Sequence, residues 1–219
     1  MHEDKELAPE SLVAQACHYV DEVTGGISPP LQLSSTYARD ENYSYIGKFS
    51  YARSGNPSWE VLEKVCAVLD GGVDAKCFAS GMAAVCAFFE TVNSGEHVVA
   101  PRIMYHGSQD WLRRISAKRS IGLSLFDATD IDDLKRAIQP GKTSVVWIET
   151  PVNPTWDVID IAQAAEIAHA AGAVLAVDGT VASPVTNNTL IHVLVTCTHI
   201  ALLLVLYSQT RFFDYVHFD

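Results

Sequence analysis

Basic residues are scarce in this 219-residue chain: 15 Lys and Arg stand against 26 Asp and Glu, a net charge of −11. That balance argues against nucleic acid or an anionic membrane surface as the main partner. The opening stretch MHEDKELAPESLVAQ lacks both an apolar core and a basic lead, so it does not read as a signal peptide. The five cysteines (Cys17, Cys66, Cys77, Cys86 and Cys197) lack paired spacing and any CxxC. Reduced thiols in a cytoplasmic protein are the expectation. Eight histidines form no HExxH or other tight ligand pattern, and no metal is expected.

What is present is apolar residue in quantity, 48% of the chain, enough to bury a substantial core in one domain or one and a half. Residues 1–50 are irregular, first acidic and then rich in Gly, Pro, Ser and Thr. They suit an arm lying on another subunit or a loose terminus. From residue 56 the pattern turns regular. Asn56-Pro57 is a cap and first-turn pair, Trp59, Leu62, Cys66 and Leu69 recur at helical spacing, and Gly71-Gly72 ends the helix. AKCFAS, HVVAP, IGLSLF, SVVWIE and AVLAVD then alternate with helical stretches such as GMAAVCAFFETVN, residues 107–119, DIDDLKRAI and DIAQAAEIAHAAG. Strands that are solid apolar runs, alternating with helices, predict an α/β fold with a mostly parallel sheet covered on both faces. Ligands bind such sheets at the carboxyl ends of the strands, where the polar motifs of this chain fall.

Five motifs carry chemistry, each with a plain alternative. Ser80-Gly81-Met82 opens a helix after a strand, where free N–H groups and the helix dipole suit a phosphate; glycine is also common at such turns. Tyr51 and Arg53, in YARSGNP, offer hydroxyl and guanidinium donors to a phosphate, or Arg53 is simply a surface arginine beside a helix cap. Asp178 ends a buried strand and calls for a cationic partner such as a protonated pyridine nitrogen, or caps the next turn. Tyr105 lies just past a buried strand, where its ring can stack on a flat cofactor; His106 beside it reads as a polar loop residue. In Glu149-Thr-Pro-Val-Asn153-Pro, two prolines hold Asn153 near a ring hydroxyl with Glu149 orienting the network, or simply build a turn.

In this order and spacing, PPLQLSSTYARD, YARSGNPSWEVLE, FASGMAA, WIETPVNPTWDVIDI and AVDGTVASPVT resemble the Cys/Met-metabolism family of pyridoxal-phosphate enzymes. That family includes cystathionine γ-synthase, the cystathionine lyases and methionine γ-lyase. The resemblance runs from about residue 8 to 186. It implies the large domain of a fold-type-I pyridoxal-phosphate-dependent transferase, normally a homotetramer of tight homodimers. It also implies γ-elimination or γ-replacement on a small amino-acid substrate such as cystathionine or O-acylhomoserine. Carried over residue by residue, it implies that Gly81 and Met82 hold the cofactor phosphate through N–H groups. Tyr51 and Arg53 then reach the phosphate in the neighbouring subunit. Tyr105 stacks on the ring and serves in acid–base work. Asp178 pairs with the ring nitrogen, Asn153 lies near the ring hydroxyl, and Thr180 packs close to the ring.

Departures are equally specific. Gly179 stands where the family usually has Asn, and no Ser-x-Thr-Lys motif follows Thr186. Lysine is absent after Lys142, so the Schiff-base lysine has no counterpart. The family's C-terminal domain is likewise not matched. Little or no turnover is expected, and a non-catalytic truncated subunit pairing with full-length partners is the alternative. The expected organisation is an N-terminal arm over 1–55, a partial cofactor-binding domain over 56–188 and a divergent apolar tail over 189–219. The tail's uncharged run LIHVLVTCTHIALLLVLY has three readings: sequence from a shifted frame or an intron, a membrane anchor, or a divergent strand–helix end to the domain. A membrane partner is not expected.

Overall fold

The computed structural model describes residues 7–182, 184–185, 195–198 and 203–206. The first element is a short helix, α1 (Pro9–Ala14), with no side-chain bond at its N-cap. Next come α2 (Pro57–Asp70), β1 (Asp74–Cys77), α3 (Gly81–Glu90) and β2 (His97–Pro101), then α4 (His106–Arg119), β3 (Gly122–Phe126) and α5 (Ile131–Ala137). After them lie β4 (Thr143–Glu149), α6 (Ile161–Ala170), β5 (Val174–Asp178), β6 (Val195–Thr198) and β7 (Leu203–Leu206).

Local chemistry sets the helix ends. At α2, the Asn56 side chain accepts the Ser58 N–H at 2.8 Å, and Gly71 closes the helix at φ 72°. A left-handed cap of that kind strongly favours glycine. Ser80, Asp130 and Asp160 cap α3, α5 and α6 in the same way as Asn56, by accepting a first-turn N–H.

The strands form one sheet in the order β1-β7-β6-β5-β4-β2-β3. Neighbours from β6 through to β3 run parallel, and β7 runs antiparallel to both β6 and β1. Two segments of the apolar tail are therefore strands of this sheet, seated between β5 and β1. A short apolar strand and part of a membrane span have the same composition, which is why length alone did not separate the two. Among the described residues, no helix is long and apolar enough to cross a membrane. The rest of the tail lies outside the described residues.

Each face of the sheet has its own core, and side-chain alternation serves both. In β4, Val146 and Ile148 join the cluster with Leu134, Ala164, Ala168 and Leu175. Val145 and Trp147 point the other way, into the cluster with Phe88, Phe89 and Leu112. Thus α2, α5 and α6 cover one face, and α3 and α4 cover the other. Trp147 packs its ring 5.8 Å from Phe88 and 5.1 Å from Phe89. Burial of each such aromatic ring contributes roughly 1.5–3 kcal/mol. At the amino edge, His97 is buried and bonded to Thr143 Oγ1 at 2.8 Å and Ser124 Oγ at 2.9 Å. Burial pushes its pKa down. It ties three strands together at the edge opposite the polar motifs.

Candidate active site

The carboxyl edge of the sheet gathers the predicted residues. β4 and β5 run in parallel register with Glu149 beside Asp178, so two carboxylates end adjacent strands. Both are buried, at 3% and 7% exposure. Burial of a carboxylate costs several kcal/mol unless donors meet it. Glu149 Oε2 accepts the Tyr105 N–H at 2.6 Å, and its Oε1 accepts the Asn153 N–H at 2.7 Å. Asp178 Oδ1 accepts both the N–H and the hydroxyl of Thr180, at 3.1 and 2.6 Å. Burial raises the pKa of Glu149; its two N–H bonds pull it down and the charge of Asp178 adds to the rise, leaving it above the ordinary value.

These residues border a cavity of about 330 Å³. Gly81, Met82, Tyr105, Asn153, Asp178 and Thr180, all singled out in the sequence, line it together. They come from the carboxyl ends of four strands, β1, β2, β4 and β5, and the segments that follow them. The start of α3 forms part of its lining. Ser80 Oγ takes the Ala83 N–H at 3.1 Å, while the first-turn N–H groups of Gly81 and Met82 have no partner one turn back in the helix. With the helix dipole, they make an anion site.

Tyr105 is 37% exposed, immediately before α4, with its ring 4.8 Å from that of His106. The neighbouring Gly107 carries a role that the sequence did not signal. A Cβ there would lie 2.7 Å from Tyr105 Cε1 and 3.2 Å from Met82 Sδ. Only a residue without a side chain lets the Tyr105 ring fold down beside Met82. Glu149, expected from the sequence to orient the Asn153 network, lines the cavity itself; its donors lie on two separate loops, one of them 44 positions away.

Tyr51 and Arg53 stand apart from this cavity. The Arg53 guanidinium lies 5.1 Å from the centre of the Tyr51 ring, and Tyr51 bridges to Thr36 in the arm. No lysine is among the described residues that line the cavity. Cys66 and Cys77 are pushed up to about 11 and about 12, chiefly by burial, so neither offers a thiolate. Among the described residues, no cluster of His, Cys, Asp and Glu is arranged to hold a metal.

Comparison with known proteins agrees with this geometry. The family model for Cys/Met metabolism PLP-dependent enzymes matches residues 10–210, which carries the likeness beyond residue 186 and into the strands β6 and β7. The chain is 35% identical over 178 residues to a cystathionine gamma-lyase of Dictyostelium discoideum, covering 81% of this chain and 46% of that protein. It is 38% identical over 159 residues to the human cystathionine gamma-lyase, covering 72% of this chain and 39% of that one. Against a cystathionine gamma-synthase of Mycobacterium tuberculosis the identity is 35%, over 80% of this chain and 45% of the relative. The chain thus spans less than half the length of these curated relatives. Among solved structures, metB from Corynebacterium glutamicum superposes with a TM-score of 0.84 at 26% identity, over 93% of this chain and 57% of that one. An apo methionine gamma lyase, CalE6 from Micromonospora echinospora, superposes with a TM-score of 0.81 at 30% identity, again over 93% and 57%. This chain therefore belongs to the Cys/Met metabolism family of enzymes that depend on pyridoxal phosphate.

Proposed function

We propose that this chain is the cofactor-binding part of a cytoplasmic enzyme performing γ-elimination or γ-replacement on sulfur amino acids, and that the chain by itself binds pyridoxal 5'-phosphate without turnover. The observation that carries this reading is the polarity of the cavity. Its lining combines a helix N-terminus, two carboxylates that end adjacent strands and an aromatic ring. Phosphate, pyridinium and a flat ring are the complements of those three features.

The residues fit the cofactor one by one. Gly81 and Met82 would give N–H groups to its phosphate. Asp178 would hold a proton on the ring nitrogen, with Thr180 fixing its carboxylate through two bonds to Oδ1. Tyr105 would cover the ring and can carry a proton at its phenol oxygen. Asn153 would bond the ring hydroxyl. When bound, pyridoxal phosphate supplies an electron sink for charge developing at the substrate Cα. The absence of lysine from the chain after Lys142 supports binding without turnover.

The test is titration of the purified chain with pyridoxal phosphate, followed by borohydride reduction, proteolysis and assay with cystathionine. Saturable binding with no pyridoxyl-lysine peptide and no turnover is the expected result. A labelled lysine together with turnover would overturn the inactive reading, and absence of binding would overturn the cofactor-site reading.

A second observation favours association with another copy, whether identical or full-length. Val23, Ile27, Leu31 and Leu33 in the arm are 93%, 77%, 84% and 91% exposed. Apolar side chains strung along one segment suit a surface that another subunit covers. In that pairing Tyr51 and Arg53 would serve the neighbour's phosphate. Light scattering should give at least a dimer; a strict monomer at high concentration would refute this.

A further inference from the structure

We infer that Glu149 is a positioning residue for the cofactor, a clamp that sets where Tyr105 and Asn153 stand over the cavity. The inference rests on the cofactor reading above and adds a group to it. Glu149 sits at the last position of β4, paired in register with Asp178 of β5. Each of its two carboxylate oxygens takes one backbone N–H, at 2.6 and 2.7 Å. Those two N–H groups belong to Tyr105 and Asn153, both of whose residues line the cavity.

The loops have internal bonds of their own. Gln109 Nε2 reaches the Arg102 carbonyl at 2.6 Å, and the Val152 N–H reaches the Asp157 carbonyl at 2.8 Å. Those bonds shape each loop but do not tie it to the other. Among the described residues, the carboxylate of Glu149 is what joins the loop after β2 to the loop after β4. A charged acceptor forms stronger and shorter bonds than a neutral one, so a carboxylate suits the role better than an amide. A site residue must be held to within a fraction of an ångström to be effective, and the support for that comes from groups behind it.

Glutamine is the discriminating substitution. Its carbonyl oxygen can accept one of the two N–H groups, but its own NH₂ then faces the other, donor against donor. One loop must move. Aspartate keeps the charge and both acceptors on a shorter stem. The experiment uses the full chain and its E149Q and E149D variants, with three readouts: amide hydrogen exchange at Tyr105 and Asn153, the dissociation constant for pyridoxal phosphate, and thermal melting. In E149Q, exchange at one or both amides should speed up at least tenfold. Cofactor affinity should fall by about tenfold, the scale of one charged hydrogen bond. E149D should recover part of both effects, and the melting temperature should move little.

Unchanged exchange at both amides in E149Q would overturn the clamp. So would protection lost evenly across the whole sheet, which marks a purely structural residue. Faster exchange with cofactor affinity unchanged would overturn the positioning role. If even the unaltered chain fails to bind pyridoxal phosphate, the cofactor reading fails first, and the positioning role falls with it. The exchange data then report the loop contacts on their own account.

Discussion

Two buried carboxylate neighbourhoods in this chain contrast sharply. At the cavity, Glu149 and Asp178 lie side by side, and four donor groups meet them. At the end of α2, Asp70 is 1% exposed, and neither of its oxygens has a hydrogen-bond partner among the described residues. Burial alone pushes its pKa up to about 7. At the first pair the fold aims three N–H groups and a hydroxyl at the carboxylates. Asp70 escapes the same penalty by taking up a proton. It also sits near the negative end of the α2 dipole, where a carboxylate is unwelcome. Buried charge thus has a destination at the cavity and none at the helix end.

The largest expected effect breaks this contrast at Asp70. With a folded pKa of about 7 against an ordinary unfolded value, its proton stabilises the fold fully in acid, and that contribution is lost as pH rises through 7. D70N should therefore stabilise the chain at pH 8 by roughly 4 kcal/mol and hardly at all at pH 4. Melting curves of both proteins across that range check it; parallel pH profiles would rule it out.

A smaller effect sharpens the other side. Asn at position 178 keeps the oxygen that receives both bonds from Thr180 but loses the charge. D178N should melt near the parent temperature while binding pyridoxal phosphate roughly 10- to 100-fold more weakly, as expected for removing a charged hydrogen bond. Equal affinities would separate Asp178 from the ring nitrogen. Next in size, G107A should displace the Tyr105 ring, because the new methyl would sit 2.7 Å from Tyr105 Cε1. Overpacking of this kind costs typically about 1–3 kcal/mol; a changed tyrosine environment in near-ultraviolet circular dichroism reads it directly. Smallest, N56A removes the cap bond to Ser58 and should lower stability by about 1 kcal/mol without touching cofactor affinity.

Much of this was legible residue by residue. Asn56-Pro57 and Gly71 mark the limits of α2, and its observed span is Pro57–Asp70. The solid apolar runs read as buried parallel strands, and the motif residues Ser80, Gly81, Met82, Tyr105, Glu149, Asn153, Asp178 and Thr180 line one cavity. The short α1 was not legible, since six residues without an apolar period or a capping side chain carry no signal. Nor was the place of the apolar tail, because composition alone does not tell an apolar strand of a sheet from a membrane span. Tyr51 and Arg53 were expected at a neighbouring subunit's phosphate, and they are not among the residues that line this chain's cavity.

The sequence by itself determined the local events: caps, helix stops, buried strands and the absence of lysine after Lys142. Each depends on neighbours a few positions away, which the order of residues specifies directly. Only the tertiary structure decided that β7 runs antiparallel, that Gly107 must be bare beneath Tyr105, and that Glu149 joins two loops. Those depend on atoms brought within a few ångströms by packing across the sheet, from positions up to 44 residues apart along the chain in the case of Glu149 and Tyr105. No local pattern encodes a distance of that kind.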